Sequence, residues 1–202
     1  MAFSILTSIV CGYFMGNLMA SYLVAKWVLG IDIREHGSKN AGAANTTMTL
    51  GWGMGILTGA IDVLKATLVV YLFSNLYPSS APYPMLPFLA GAMTVIGHNY
   101  PFYMKFNGGK GTASAIGIIL GYDFYMGLVM IAVIIASTVI TNFLVVGTVN
   151  IYLVMICLAV FKYQSIELIV LSVLLGILGV YKHRMNFVRI KNGTEPTFRG
   201  TL

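Results

Sequence analysis

Charge is what this sequence has least of. Only 9% of its 202 residues are charged, 58% are hydrophobic, and mean hydropathy is +0.85. Soluble domains carry about a quarter charged residues, so a water-soluble globular protein is excluded and an integral membrane protein is expected. Cysteine is equally scarce. Cys11 and Cys157 both lie within apolar runs, which rules against a disulfide framework and leaves buried packing as their expected place. The three histidines have no cysteine or carboxylate partners at metal-ligand spacing, which argues against a zinc site. There is no G-x-S-x-G elbow and Asp is rare, so a Ser–His–Asp triad is unsupported. No cofactor is expected. Repeats, low-complexity tracts and long polar linkers are absent too, so residues 1–202 read as a single domain. The formal charge of +6 is not spread over a solvated surface. Membrane lipids with anionic headgroups, or anionic substrates, are the expected partners, and no nucleic acid.

What is there is a series of apolar runs. The first, Met1–Ala25, lacks a basic leader and is too long for a cleaved signal core, so it is expected to stay as a span. At about 1.5 Å per residue it reaches roughly 37 Å, enough to cross a bilayer. Gly12, Gly16, Ala20 and Ala25 supply small residues for close helix packing. A polar loop is expected from Ile31 to about Thr47, then a second span over 51–76 and a Pro-Ser turn from Pro78 to Pro87. A third span covers about 86–96. A short fourth follows Gly111 and breaks at Gly121-Tyr122-Asp123. The long run 124–161 is split at Thr141-Asn142 and Gly147-Thr148 into spans five and six. Ser165 caps a seventh helix, with Glu167 in its first turn, and that helix is expected to end near Tyr181, before a basic tail. The fold class is therefore all-α, a bundle of about seven transmembrane helices. Threaded this way, ten basic residues fall on one side: Lys26, Arg34, Lys39, Lys105, Lys110, Lys182, Arg184, Arg189, Lys191 and Arg199. Lys162 alone stands on the other. The bias puts the N-terminus outside and the C-terminus in the cytoplasm.

Polar residues interrupt the apolar chain in three loops that this threading brings to one side. The central one, Gly97 to Ser114, reads GHNYPFYMKFNGGKGTAS. Its glycines let backbone N–H groups turn toward one point just before a helix start, with Lys110 as a mobile charge, an arrangement suited to a phosphate or carboxylate. It is not a P-loop, because Met104 stands where the first glycine belongs and Gly111 follows the lysine. A flexible turn between two helices is the other reading. The first loop, Gly37 to Asn45, is a second candidate anion- or polyol-binding turn, or a packing segment with asparagine caps. In the third, His183 and Asn186 lie three apart on one helical face, with a solvated basic helix end as the alternative. His98 is a candidate acid/base or phosphate donor, or a structural histidine. Asp62 and Lys65, three apart in the second span, are costly inside a bilayer unless paired.

These segments, in this order, resemble the PlsY-type acyl-phosphate:glycerol-3-phosphate acyltransferases. GSKNAGAAN is similar to that family's first motif, GHNYPFYMKFNGGKGTAS to its second, and YKHRMN with NGTEP to its last; Asp62 and Lys65 resemble its Asp-x-x-Lys. The resemblance covers nearly the whole chain. It implies an integral membrane enzyme that moves an acyl chain from acyl phosphate to the 1-hydroxyl of glycerol 3-phosphate, without metal or nucleotide. The setting it implies is a bacterial-type inner membrane with the active site on the cytoplasmic face. It assigns catalytic positions to Ser38, His98, Lys110, His183 and Asn186, and substrate binding to Asn40, Asn45, Gly108, Gly109, Gly111, Thr112 and Arg184. By this likeness Gly108, Gly109 and Lys110 hold a phosphate. Ser38, Asn40 and Asn45 line a polar pocket, while His98, His183 and Asn186 orient the acceptor. Asp62 and Lys65 are supporting. The chain departs from the family at Met48, where an arginine is usual, and at Ala44, Val145, Met185 and the segment Gly16-Asn17-Leu18-Met19. Another small alcohol as acceptor, a catalytically silent paralogue, and a small-anion transporter are the alternatives.

Overall fold

The computed structural model describes residues 2–77 and 84–201. Every regular element among them is helical. The first apolar run is two helices, not one: α1 (Ala2–Gly16) and α2 (Ala20–Leu29). No proline breaks it. The break forms at Asn17, whose side-chain amide donates to Tyr13 O at 2.6 Å and competes with the helix ladder. Gly30, at φ 72°, closes α2 with its N–H on Lys26 O. The polar loop expected to reach Thr47 also differs, because its last part is helical: α3 (Ala43–Leu50). α4 (Trp52–Leu76) follows directly. The Pro78–Pro87 turn lies partly outside the described residues, and Pro87 itself stands in the first turn of α5 (Leu86–Asn99), where its missing N–H costs nothing.

α6 (Thr112–Tyr122) has 11 residues, roughly 16 Å of helix, short of a 30 Å hydrocarbon core. Asp123 then caps α7 (Phe124–Thr141) by accepting from Met126 N–H at 3.2 Å. Asn142, at φ 66°, ends α7 and marks the break expected at Thr141-Asn142. Gly147-Thr148, expected as part of that break, lies inside α8 (Leu144–Cys157); there Gly147 packs on Ile134 and does not interrupt the helix. A π-helical turn, Leu158–Tyr163, extends α8. α9 (Ile166–Lys191) is capped by Ser165, as its sequence predicts. It continues ten residues beyond Tyr181, and His183 to Asn186 lie within it. Five of the apolar passages are long enough to cross a membrane: Ala2–Leu29, Trp52–Leu76, Phe124–Thr141, Leu144–Tyr163 and Ile166–Lys191. These make the chain an integral membrane helical protein, with α5 and α6 as shorter apolar helices beside them.

By contacts the chain forms two compact units, 1–122 and 123–202. In the first, α1 lies against α5 because both surfaces are glycine: a Cβ at Gly12 would fall 2.2 Å from Ala90 O, and one at Gly97 2.1 Å from Tyr13 O. Such backbone approach is how membrane helices gain dispersion energy without a hydrophobic drive. α6 packs on α4, where Thr67 Oγ1 donates to Gly117 O and Ser114 Oγ to Asp62 O. In the second unit α8 packs between α7 and α9. Cys11 and Cys157 are free and exposed on apolar helix surfaces, which corrects the expectation of buried packing. A thiol on the outside of a membrane helix meets lipid, not a protein core.

Candidate active site

Two of the three motif loops are built together at one end of the first unit. Their common base is a buried cluster of Met19, Ala25, Ile33, Ala41 and Met104, drawn from α2, the first loop and the central loop. Arg34 ties them a second time. Its guanidinium grips Asp32 at 2.6 Å and donates to Met104 O at 2.9 Å, a fork that only arginine supplies. The Arg34 hydrogen bond holds the Asp32 carboxyl below its ordinary range. Asn17, at the break between α1 and α2, makes a third link: its Oδ1 accepts from Phe102 N–H and its carbonyl from the Tyr103 hydroxyl.

Within the first loop Asn45 is a buried organiser. Its Oδ1 accepts from Ser38 N–H at 2.7 Å and its Nδ2 donates to the carbonyls of Ile33 and His36. Gly37 is required beside it, at φ +55° and with no room for a Cβ against Asn45 Oδ1. Asn45 therefore shapes the loop from beneath. Ser38 is exposed and Asn40 half-buried, both in the loop that leads to α3.

The central loop differs from expectation in its donors. Gly108 N–H donates to Asn99 O at 3.2 Å and Gly109 N–H to His98 O at 3.0 Å. Those amides satisfy the carbonyl end of α5, so they are not the donors aimed at an anion. What the two glycines provide is space: a Cβ at Gly109 would lie 2.0 Å from His98 Nε2. Gly111, at φ +83°, turns the chain into α6 and its carbonyl accepts the Ala115 N–H. The first turn of α6, beginning at Thr112, and the half-buried Lys110 put positive potential at this loop. Lys105 and Phe106, both left-handed at φ 54° and 58°, are held there by the turn bonds from Phe106 N–H to Pro101 O and from Asn107 N–H to Met104 O.

Behind the loop is a buried charged cluster. Lys65 Nζ lies 2.8 Å from Asp62 Oδ1, an ion contact more than an aligned hydrogen bond, with both side chains at most 3% exposed. It also donates to Leu18 O at 2.7 Å and Gly16 O at 3.2 Å. Those carbonyls lost their helical partners when α1 broke, and the negative end of the helix favours a cation there. Lys65 lies 3.0 Å from His98 Nδ1. The pair is thus a cap and a brace at once.

The third motif belongs to the second unit. His183 and Asn186 share the buried face of α9, as their spacing predicts. His183 Nδ1 contacts Gly179 O at 2.9 Å; a carbonyl only accepts, so Nδ1 carries the proton. Asn186 Nδ2 donates to Glu195 Oε1, and Glu195 Oε2 accepts from Arg189 Nε, so the tail segment NGTEP folds back on the helix. Arg184 is exposed and stacked on the Tyr181 ring at 4.2 Å. Glu195, Asn17, Asp32 and Arg34 are organising residues to which pattern reading gave no such role. The available signal was a polar side chain placed where a loop must be held.

The fold and these loops have known counterparts. A family model described as glycerol-3-phosphate acyltransferase matches residues 6–193. Glycerol-3-phosphate acyltransferase 1 of Oceanobacillus iheyensis is 38% identical over 193 residues, covering 92% of this chain and 90% of that one. The glycerol-3-phosphate acyltransferase of Bacillus subtilis is 37% identical over 188 residues, covering 93% and 94%. The crystal structure of PlsY (YgiH), an integral membrane glycerol 3-phosphate acyltransferase, in its glycerol 3-phosphate form, superposes with a TM-score of 0.88 at 25% identity over 96% of each chain. Its lysophosphatidic acid form gives 0.85, covering 98% of this chain and 96% of that one. The chain, from its broken first helix to the end of α9, belongs to the glycerol-3-phosphate acyltransferase family.

Proposed function

We propose that this protein is the enzyme that transfers an acyl chain from acyl phosphate to the 1-hydroxyl of glycerol 3-phosphate, giving lysophosphatidic acid and phosphate. The observation that carries this reading is the family match across residues 6–193, which takes in all three motif loops. In the reaction the 1-hydroxyl oxygen bonds to the acyl carbon, the bond from that carbon to the phosphate oxygen breaks, and the hydroxyl proton leaves with phosphate or water. An acyl phosphate is already activated, so holding and orienting two anions can supply most of the acceleration.

The chain's parts suit that task. Lys110 and the first turn of α6 hold the donor's phosphate and balance the charge that grows as it departs. Ser38 and Asn40 contribute polar groups from the neighbouring loop. His183, with its proton on Nδ1, turns the Nε2 lone pair toward a hydroxyl hydrogen, and Asn186 is oriented by Glu195 to hold the acceptor. The acyl tail lies among apolar helices, each buried methylene contributing about 0.8 kcal/mol. Residues 1–202 act as one functional domain, since the family match spans both compact units. We further infer an inner-membrane setting with the N-terminus outside and the motif loops on the cytoplasmic face, supported by the ten-to-one bias of basic residues.

Purified protein in detergent or nanodiscs tests the reading. Phosphate release from acyl phosphate is expected only when glycerol 3-phosphate is present. Release at the same rate without acceptor, or none with it, contradicts the reading. A second acceptor has one observation in its favour: Met48, where the family usually has arginine, is 43% exposed on α3 and cannot form a bidentate phosphate bond. Faster turnover with an uncharged polyol would select that version.

A further inference from the structure

The buried Asp62–Lys65 pair does more than neutralise itself. Lys65 crosses from α4 to reach α1's broken end and the imidazole of His98 on α5. An ammonium only donates hydrogen bonds. At 3.0 Å from Lys65 Nζ, His98 Nδ1 must therefore present its lone pair, and the proton of the neutral ring belongs on Nε2. A protonated ring would set a second N–H against the ammonium in a site where His98, Lys65 and Asp62 side chains are all at most 4% exposed. Asp62 Oδ1, 3.4 Å from Nδ1 and 2.8 Å from Nζ, is the counter-charge that holds the ammonium in place.

The opposite edge of the ring meets the glycine loop. Nε2 lies 2.0 Å from where a Cβ of residue 109 would be, with Cδ2 and Cε1 each 2.8 Å from that point. The Gly109 amide returns to His98 O at 3.0 Å, so loop and ring are fixed to each other from both sides. We propose that Lys65, steadied by Asp62, is a positioning residue that locks His98 in the Nε2–H tautomer, making His98 a permanent hydrogen-bond donor at the floor of the glycine loop and not a general base. The ligand class for such a donor is a phosphoryl or developing acyl oxygen. This assignment of the catalytic role rests on the acyl-transfer reading; the tautomer itself does not. His183, with Nδ1 on Gly179 O, carries its proton on the other nitrogen, so the two buried histidines present opposite chemistry at Nε2.

Nitrogen-15 NMR of the full-length protein, labelled at its three histidines and held in detergent micelles, reads this directly. His36→Gln and His98→Gln spectra assign the signals. Resting protein is expected to show His98 with Nε2 in the protonated range and Nδ1 in the unprotonated range. An Nδ1–H tautomer or an imidazolium at neutral pH overturns the proposal. In Lys65→Met the ring is expected to move toward Nδ1–H, donating to Asp62, and kcat to fall by about 10²-fold or more, since a wrong histidine tautomer costs up to roughly 10⁴ in hydrolytic triads. Lys65→Arg, which keeps a donor, is expected to retain the native tautomer and recover part of kcat. An unchanged His98 spectrum in Lys65→Met also overturns it. If that variant fails to fold, the wild-type and Lys65→Arg spectra decide. A protein with the stated tautomer but inert toward acyl phosphate would sink the acyl-transfer reading alone.

Discussion

Lys110, Asn45 and Met48 separate three ways in which one side chain serves an anion site. Lys110 is a half-buried charge placed at a helix start. Lys110→Ala is expected to lower kcat by about 10²–10³, the usual cost of losing one preorganised stabilising group, with a thermal midpoint close to wild type. A loss of stability without selective loss of turnover would mark the loop as packing only. Asn45 acts through others. Its removal orphans Ser38 N–H and the carbonyls of Ile33 and His36, each costing about 1–3 kcal/mol if it stays dry. Asn45→Ala should thus lower the melting temperature and raise KM together, in contrast to Lys110→Ala. Met48→Arg restores a guanidinium beside the first loop. The expected result is a KM for glycerol 3-phosphate about tenfold lower, read by initial rates, because a charge-assisted phosphate contact contributes roughly 1.5–3 kcal/mol. Asp32 supplies a pH signature. Its carboxyl is held low by Arg34, so its stabilising contribution is present above the unfolded value near 3.9 and is lost as pH falls through the folded one. Asp32→Asn should therefore be less stable than wild type at pH 7, by up to about 1 kcal/mol for a partly solvated pair, and the gap should close in melts below about pH 4.

Among elements, the break between α1 and α2 has the widest consequences. It frees the Gly16 and Leu18 carbonyls, draws Lys65 to them, and lets Asn17 hold the central loop. Lys65→Met strands a buried carboxylate, which typically costs 3–5 kcal/mol. Adding Asp62→Asn should return part of that stability without returning activity, a comparison available from melting and turnover of the single and double variants. The same region shows what a sequence can reveal. Long apolar runs made α4 and the α7–α8 junction readable, and Ser165 with Glu167 announced the start of α9. The break at Asn17 was hidden because no proline marks it. α3 was hidden because small polar residues read equally as loop. The last ten residues of α9 were hidden because basic side chains after Tyr181 look like a tail until the Glu195 bridge is seen. The glycine amides were misread for a similar reason: sequence shows which donors exist, not which carbonyls they already serve.

For the molecule as a whole the account requires sidedness and a place for an acyl phosphate. With the motif loops in the cytoplasm, Lys39→Cys in a background lacking Cys11 and Cys157 should resist a membrane-impermeant maleimide in intact cells and react after lysis. Reaction in intact cells would reverse the topology. The central claim is that an anionic headgroup is gripped at the start of α6 while its chain lies among the helices. Calorimetric titration with a non-hydrolysable acyl phosphonate tests it without requiring turnover. The account predicts binding by the wild-type protein, weakened at least tenfold in Lys110→Ala and again when the acyl chain is shortened to a few carbons. Equal affinity for wild type and Lys110→Ala would contradict it.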